Sequence, residues 1–383
     1  MINLAQKDIS HTLGKFVVTA MGVGMLLGIV LIMIGVYRGL LVDAEMLLQS
    51  VNADLWIVQE NTMGPFAESS RIHEDLKDTL KVIEGIDKAE AMTFQNLQLY
   101  GKEKPMRVTA VGYNPHAEIN PINKNYLIQG RTLEKAHYEV VLSMETGFNL
   151  HDTIHIGRNI YTVVGVLKKG CVSSSGEPLI YVSLKDAQEL QFSYSNANIR
   201  NDRDRGVSSG GDTHIANAIV ATIKAGYDVK EIAKKIGMWK HQSVFTNEEQ
   251  ITVLTKNLVE RSAKQIGLFT VILVVVSTII IGLIIYTMTL EKIKEISIMK
   301  LIGIPDSLIV KMVVQETVLL GFFAFAFGNI FSNLTYDKFP KRVVLETPDA
   351  FILFGVIIIA SILASFVGVA KVVHADPTVA IGG

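Results

Sequence analysis

Residue types that do chemistry are present in this chain, but their spacing assembles no reaction centre. His151 and His155 stand four apart. On a helix that spacing would set two imidazoles side by side for a metal ion. The run 153–156 alternates like a strand, where four residues span about 13 Å, so a solvated strand face is the expectation. Ser297-Ile-Met-Lys300 matches the Ser-x-x-Lys pattern of an activated serine, but the Ser-Asp-Asn and Lys-Thr-Gly segments that complete such a site are missing. Gly14-Lys15 and Gly101-Lys102 lack the upstream glycine of a phosphate-binding loop, and no His-Glu-x-x-His zinc motif occurs. Cys171 is the single cysteine, which excludes an internal disulfide and a multi-cysteine metal site. Aromatic residues are scattered without interleaved basic ones, and the formal net charge is −1, so nothing favours nucleic acid. Glu316 remains, a carboxylate near the end of an apolar stretch. Such a group is a functional candidate by default. Anchoring at the membrane interface, with Lys311 as its partner, is the competing expectation.

The elements that must position these residues are dominated by apolar runs. The 383 residues are 49% hydrophobic and only 19% charged, where soluble domains carry about 25% charged residues. Four segments, 16–41, 266–290, 312–334 and 351–373, each supply enough apolar length to cross a hydrocarbon core of about 30 Å. The first is too long for a cleavable signal peptide and reads as a retained anchor. Lys7, Lys15, Lys292, Lys294, Lys300, Lys311 and Lys371 fall on one side of this arrangement; Arg38, Arg261, Lys264, Lys338, Lys341 and Arg342 fall on the other. Charges beside a very long loop count less, so the bias places both termini in the cytoplasm. The expected order is a cytoplasmic amphipathic helix (1–15), a span (16–41), an external region (42–265) and a second span (266–290). A cytoplasmic segment (291–311), a span (312–334), an external loop (335–350), a span (351–373) and a cytoplasmic tail (374–383) follow.

Residues 42–265 have ordinary globular composition. Strands are expected at 53–59, 89–100, 106–113, 218–225 and 243–246, and helices at 72–83 and 229–236. Residues 101–105 form the turn between the second and third strands. The long insertion, about 115–217, is mostly β, with strands at 140–143, 153–156, 160–167 and 179–182, and it ends in a polar, glycine-rich exposed loop. The result is a two-lobed α+β domain. Helical stretches at 40–51 and 246–264, the latter with Ile251, Leu254, Leu258 and Val259 at helical spacing, continue the first two spans outward as a stalk.

Two spans carry rows of small residues: Ala20, Gly24, Gly28 and Gly35 on the first, Ala360, Ala364 and Gly368 on the fourth. In lipid, helices associate by close packing rather than by apolarity. These rows are packing faces, against a second copy of the chain or against another span of the same copy.

Between the second and third spans lies Glu291-Lys-Ile-Lys-Glu-Ile-Ser-Ile-Met-Lys-Leu-Ile-Gly-Ile-Pro-Asp306. It reads as a charged helix end, a short apolar helix and a Gly303-x-Pro305 break, with Asp306 or Ser307 capping the next helix. A short helix on the membrane face can dock in a partner's groove. This stretch resembles the MacB/FtsX-type, or type VII, permeases of ABC transporters. Their Glu-Arg/Lys-x-x-Glu-Ile-x-x-x-Lys/Arg-x-x-Gly run is matched by Glu291, Glu295, Ile296, Lys300 and Gly303. Lys292 stands where arginine is usual. Leu4-Ala-x-x-Asp-Ile-x-His-Thr-Leu-Gly-Lys15, the run 157–166 and Ala375-Asp-Pro-Thr-Val-Ala380 are similar to other family segments, whereas Ile381-Gly-Gly departs from the usual ending. Segments 54–59, 63–70 and 181–188 look most like the DevC subgroup.

The resemblance implies a four-helix membrane protein with a large extracytoplasmic α+β domain inserted between helices 1 and 2, in a bacterial inner membrane. It implies a homodimeric, non-catalytic subunit that binds no cofactor itself. ATP and Mg would be bound by a separate ABC ATPase dimer, contacted through Glu291, Glu295, Ile298, Met299, Lys300, Leu301, Gly303 and Pro305. A periplasmic adaptor protein, an outer-membrane duct and membrane lipid are the other implied partners. The implied activity is export, of efflux substrates or of envelope lipid and glycolipid. The alternative is FtsX-like signalling, in which the same motion activates an external cell-wall enzyme. A membrane-embedded hydrolase ranks third, given the missing motifs.

Overall fold

Unbroken burial along Leu55–Val58 sets the frame of the extramembrane half, because this short strand is apolar toward both faces of its sheet. The computed structural model describes residues 13–66, 68, 70–101, 105–173, 175–193, 214–256, 260–339 and 341–373. In chain order the elements are α1 (Leu13–Val51), β1 (Leu55–Gln59), β2 (Ile72–His73), α2 (Leu76–Lys81), β3 (Ile86–Tyr100) and β4 (Pro105–Tyr113). Next come β5 (Leu127–Gly130), β6 (Glu139–Ser143), β7 (Thr153–Ile156), β8 (Asn159–Leu167), β9 (Leu179–Ser183) and α3 (Leu184–Ser193). The chain continues with β10 (Ile215–Ala216), β11 (Ala218–Ile223), α4 (Val229–Gly237), β12 (Gln242–Thr246) and α5 (Asn247–Leu254). It closes with α6 (Glu260–Glu291), α7 (Ile293–Leu301), α8 (Asp306–Thr335) and α9 (Thr347–Val373). Two compact units result: Leu40–Arg261, and Met1–Gly39 with Ser262–Gly383.

Among the described residues of the first unit, ten strands share one sheet, ordered β12-β1-β11-β3-β4-β9-β6-β8-β5, with β7 paired to β8. Leu55 and Ile57 face Leu80 of α2 and Ile232 and Ile236 of α4. Trp56 and Val58 face the other way, onto Leu47, Leu48 and Val51 of α1 and Leu254 of α5. The strands expected at 140–143, 153–156, 160–167 and 179–182 are present and enclose a third cluster with Ala187 and Leu190 of α3.

The insertion does not stand apart from the sheet. β3 pairs with β11 through Met92 and with β4 from Thr93 onward, so one 15-residue strand serves both halves. Asn217 sits at the fork. Its N–H donates to the Met92 carbonyl (2.9 Å), its side-chain oxygen accepts from the Phe94 N–H (2.9 Å), and its amide donates to the Ser70 carbonyl (2.8 Å). That side chain satisfies backbone groups which no strand can reach where β3 changes partner.

One helix differs from its expectation. Periodicity predicts a helix across 72–83, but Ile72–His73 is a strand paired with Ile215–Ala216, and α2 starts only at Leu76. The pairing partner lies more than 140 positions away, so local spacing carries no trace of it. The residues 1–12, the turn residues 102–104, the polar loop 194–213, Leu258 and Val259, and the tail 374–383 lie outside the described residues.

The second unit is helical. Among the described residues, four helical stretches are long and apolar enough to cross a membrane: Leu13–Val51, Ser262–Glu291, Asp306–Lys338 and Thr347–Phe366. The 39 residues of α1, at ~1.5 Å each, reach about 58 Å, nearly twice a hydrocarbon core.

Glu139 pins the approach to β6. Its buried carboxylate accepts from the Arg131 guanidinium (2.6 and 3.1 Å) and from the backbone N–H groups of Glu134 (2.9 Å) and Lys135 (3.0 Å). Burial alone would raise this carboxyl; the hydrogen bonds outweigh it and hold the group at about 2. The folded value therefore lies below the unfolded one of about 4.3. The stabilisation is complete above pH ~4.3 and is lost as pH falls toward 2. Glu139→Gln should cost a few kcal/mol at pH 7. In thermal unfolding of the full chain, the gap from wild type should close in that acid window. Equal midpoints at pH 7 would refute the pinning role.

Candidate functional site: the α7 segment and the helix faces that hold it

α7 is short, and a built-in stop ends it. Gly303 takes φ +91, in the left-handed region. Its N–H donates to the Lys300 carbonyl (3.0 Å) and the Ile304 N–H donates to the Met299 carbonyl (3.0 Å). These are the two bonds of a Schellman stop, and Ile304 supplies its apolar contact by packing onto the helical unit's core. The expected cap on the next helix differs. Pro305, extended at φ −67 and ψ 142, occupies the N-cap position with no side-chain cap. Asp306 lies in the first turn instead, where its carboxylate complements the helix dipole and meets Lys300 at 3.2 Å.

α7 is apolar on both sides. Ile296 and Ser297 are buried, and Ile293 and Met299 pack onto the same helical core. Ile298, Leu301 and Ile302, spaced i, i+3 and i+4, form an outward face and are 48%, 50% and 75% exposed. Leu308 and Pro305 are exposed beside them. Lys294 and Glu295 are exposed near the helix start. Glu291 is exposed too and pairs with Lys15 at 2.9 Å, a surface contact worth little. Met299 thus belongs to the inner side of the segment, and its apolarity supports the fold rather than the outward face. Ser297 is buried and Lys300 is engaged by Asp306, so the Ser-x-x-Lys match offers no accessible nucleophile. His155 lies on β7, and His151, at φ +68, lies in the turn before it.

Glu316 is buried on α8, and its partner is Lys292 rather than Lys311. The Lys292 ammonium donates to the Glu316 carboxylate at 2.8 Å, with side chains 11% and 6% exposed. The pair joins two helices 24 positions apart in sequence, a link that no single-helix periodicity reveals.

The small residues of α1 meet α8 of the same chain. A methyl group on Gly24 would fall 2.7 Å from the Ala324 carbonyl oxygen and 2.8 Å from the Phe327 β-carbon. On Gly28 it would fall 2.9 Å from the Gly328 carbonyl oxygen. Gly35 faces Val343, Val344 and Leu345, and its carbonyl accepts from the Val344 N–H (3.0 Å). Ala20 is fully buried. On α9, Ala360 and Ala364 are buried and Ser361 packs against Gly321 of α8; the surroundings of Gly368 lie outside the described residues. The answering row on α8, Gly321, Ala324, Gly328 and Ser332, is buried. Its spacing of three, four and four was available to sequence reasoning but is diluted by the phenylalanines between. Beyond Gly35, Arg38 bridges to Glu346 (2.9 Å) and Asp349 (2.7 Å).

The profile of the MacB-like periplasmic core domain matches residues 16–237, and that of the FtsX-like permease C-terminal region matches 267–377. The chain belongs to the MacB/FtsX family of ABC transporter permeases. An uncharacterised ABC transporter permease of Mycobacterium bovis is 23% identical over 384 residues, covering 100% of both chains. Another, from Mycobacterium tuberculosis, is 21% identical over 387 residues, again covering 100% of both. The periplasmic region of MacB from Actinobacillus actinomycetemcomitans aligns at a TM-score of 0.36 and 13% identity, over 55% of this chain and 96% of that one. A permease of this family is a non-catalytic membrane subunit, and membership implies an ATPase partner.

The glycine contacts make a direct prediction for the permease. Gly24→Leu or Gly28→Leu must push α1 off α8, an overpacking cost of ~1–3 kcal/mol or more. Both should lower the yield of monodisperse protein in detergent. Gly22→Leu, with nothing within 4 Å of it, should not. Equal yields for all three would show that the small row is not a packing face.

Proposed function

We propose that this chain is the permease subunit of an ABC-type exporter in a bacterial inner membrane, acting as a homodimer. A separate ATPase pair binds ATP and Mg and docks on α7. Closure of that pair moves α7, and the first two spans pass the movement to the α+β domain inserted between them, outside the membrane. There the domain acts on an efflux substrate or an envelope lipid, with a periplasmic adaptor and an outer-membrane duct completing the path, as the likeness to the DevC subgroup suggests. The observation that carries this reading is the outward face of Ile298, Leu301 and Ile302. It is apolar and exposed, and it stands on a helix held at both ends. Solvated helices rarely display such a face unless a partner covers it.

Leu301→Asp and Ile302→Asp should each reduce co-purification of the neighbouring ATPase at least tenfold, because a carboxylate in an apolar groove is heavily penalised. Both variants should remain folded. Met299→Asp should instead lower the yield of folded permease. Undiminished capture of the ATPase by both outward variants would sink the docking assignment.

Topology is tested by labelling. A cysteine at exposed Tyr100 should react with an impermeant thiol reagent in cells whose outer membrane is permeable, and one at exposed Ile302 should not. Native Cys171 is buried and stays silent. Reversed labelling would place α7 outside and exclude an ATPase there.

A further inference from the structure

We propose that Lys292 and Glu316 are positioning residues, a clamp that makes α7 and α8 move as one piece. The inference rests on the docking of an ATPase on α7. Lys292 occupies the bend between α6 and α7, at φ −92 and ψ 4. Its N–H donates to the Met288 carbonyl (3.3 Å) and its carbonyl accepts from the Ile296 N–H (2.9 Å), so its backbone belongs to both helices. Its side chain leaves that bend and reaches the third turn of α8, where it meets Glu316 at 2.8 Å. At the other end of α7, Lys300 meets Asp306 in the first turn of α8. The short helix is therefore tied to α8 at its start and at its end. The two ties differ in kind, because Asp306 is half exposed whereas Lys292 and Glu316 are almost fully withdrawn from water.

Burial decides what the inner tie can do. A desolvated ion pair adds little stability over two packed apolar side chains, because the loss of hydration offsets the attraction. What it adds is position. Apolar surfaces slide past one another at small cost. A slip of one helical turn, about 5.4 Å, would break the 2.8 Å contact between two charges that are almost withdrawn from water. α7 therefore cannot shift along α8 without separating these two charges, and a displacement applied to α7 is delivered to α8.

The test uses the full chain with its ATPase in lipid nanodiscs. A fluorescent label is placed at Val82→Cys, an exposed position on the α+β unit, while buried Cys171 stays unlabelled. In the wild-type complex ATP should change the label's signal. Lys292→Met with Glu316→Leu should fold, capture the ATPase within twofold of wild type, and lose at least four-fifths of the ATP response. Lys292→Arg should keep the response. A full response from the apolar pair would overturn the clamp, and so would loss of ATPase capture, since the pair would then serve the fold alone. A wild-type complex with no response to ATP would overturn the mechanical reading beneath it, and is told apart because it needs no substitution to appear.

Discussion

The close approach of α1 to α8 is the constraint on which the helical unit depends. Lipid tails are as apolar as leucine, so helices between them gain little by burying hydrophobic surface against each other. Contact must come from backbone proximity and fit. Gly24 and Gly28 on α1 and Gly328 on α8 allow it, with main-chain atoms meeting where any larger residue would intrude. α9 uses the same device against α8 through Ser361 and Gly321. α8 thereby becomes the helix against which the others are placed.

That placement sets the geometry of α7. The segment is only nine residues long, too short to hold itself as an isolated helix in water. It is held by a Schellman stop at Gly303, by Ile296 and Met299 packed inward, and by ion pairs to α8 at either end. With its inner side fastened, the outer side of Ile298, Leu301 and Ile302 is presented as a fixed shape rather than a mobile loop. A preorganised face loses less conformational freedom on docking, which favours tight contact over a small area. The α+β unit follows a parallel logic: β3 is shared between two sets of strands, and Asn217 satisfies the backbone where the sharing changes hands.

Local pattern carried most of the secondary structure. The strands at 140–143, 153–156, 160–167 and 179–182 were legible because apolar residues run between Gly, Asn and Asp turns, and each lies within a residue or so of its expected bounds. α3 and β5 were not legible. Leu184, Ala187 and Leu190 make too narrow a stripe to announce a helix in an otherwise polar run, and β5 is a largely exposed edge strand without alternation. The break of the 72–83 helix at Ile72–His73 arose from pairing with a strand far along the chain. Within the candidate site, the coupling residues were visible as a motif, but their division into an inward Met299 and an outward Leu301 was not. The apolar residues Ile293, Ile296, Ile298, Met299, Leu301 and Ile302 fall on every side of the helix, so phase alone cannot say which side meets the bundle.

The sequence by itself determined the four apolar helices, the globular composition of 42–265 and the family, because each depends on composition and near-neighbour spacing. Tertiary structure decided who meets whom. Glu316 took Lys292 rather than the nearer Lys311, since the bend after α6 aims that lysine at the third turn of α8. The small row of α1 meets α8, since an answering row stands there at matching spacing. Both are contacts between separate helices. Their energies depend on burial and distance in three dimensions, and a one-dimensional pattern contains neither.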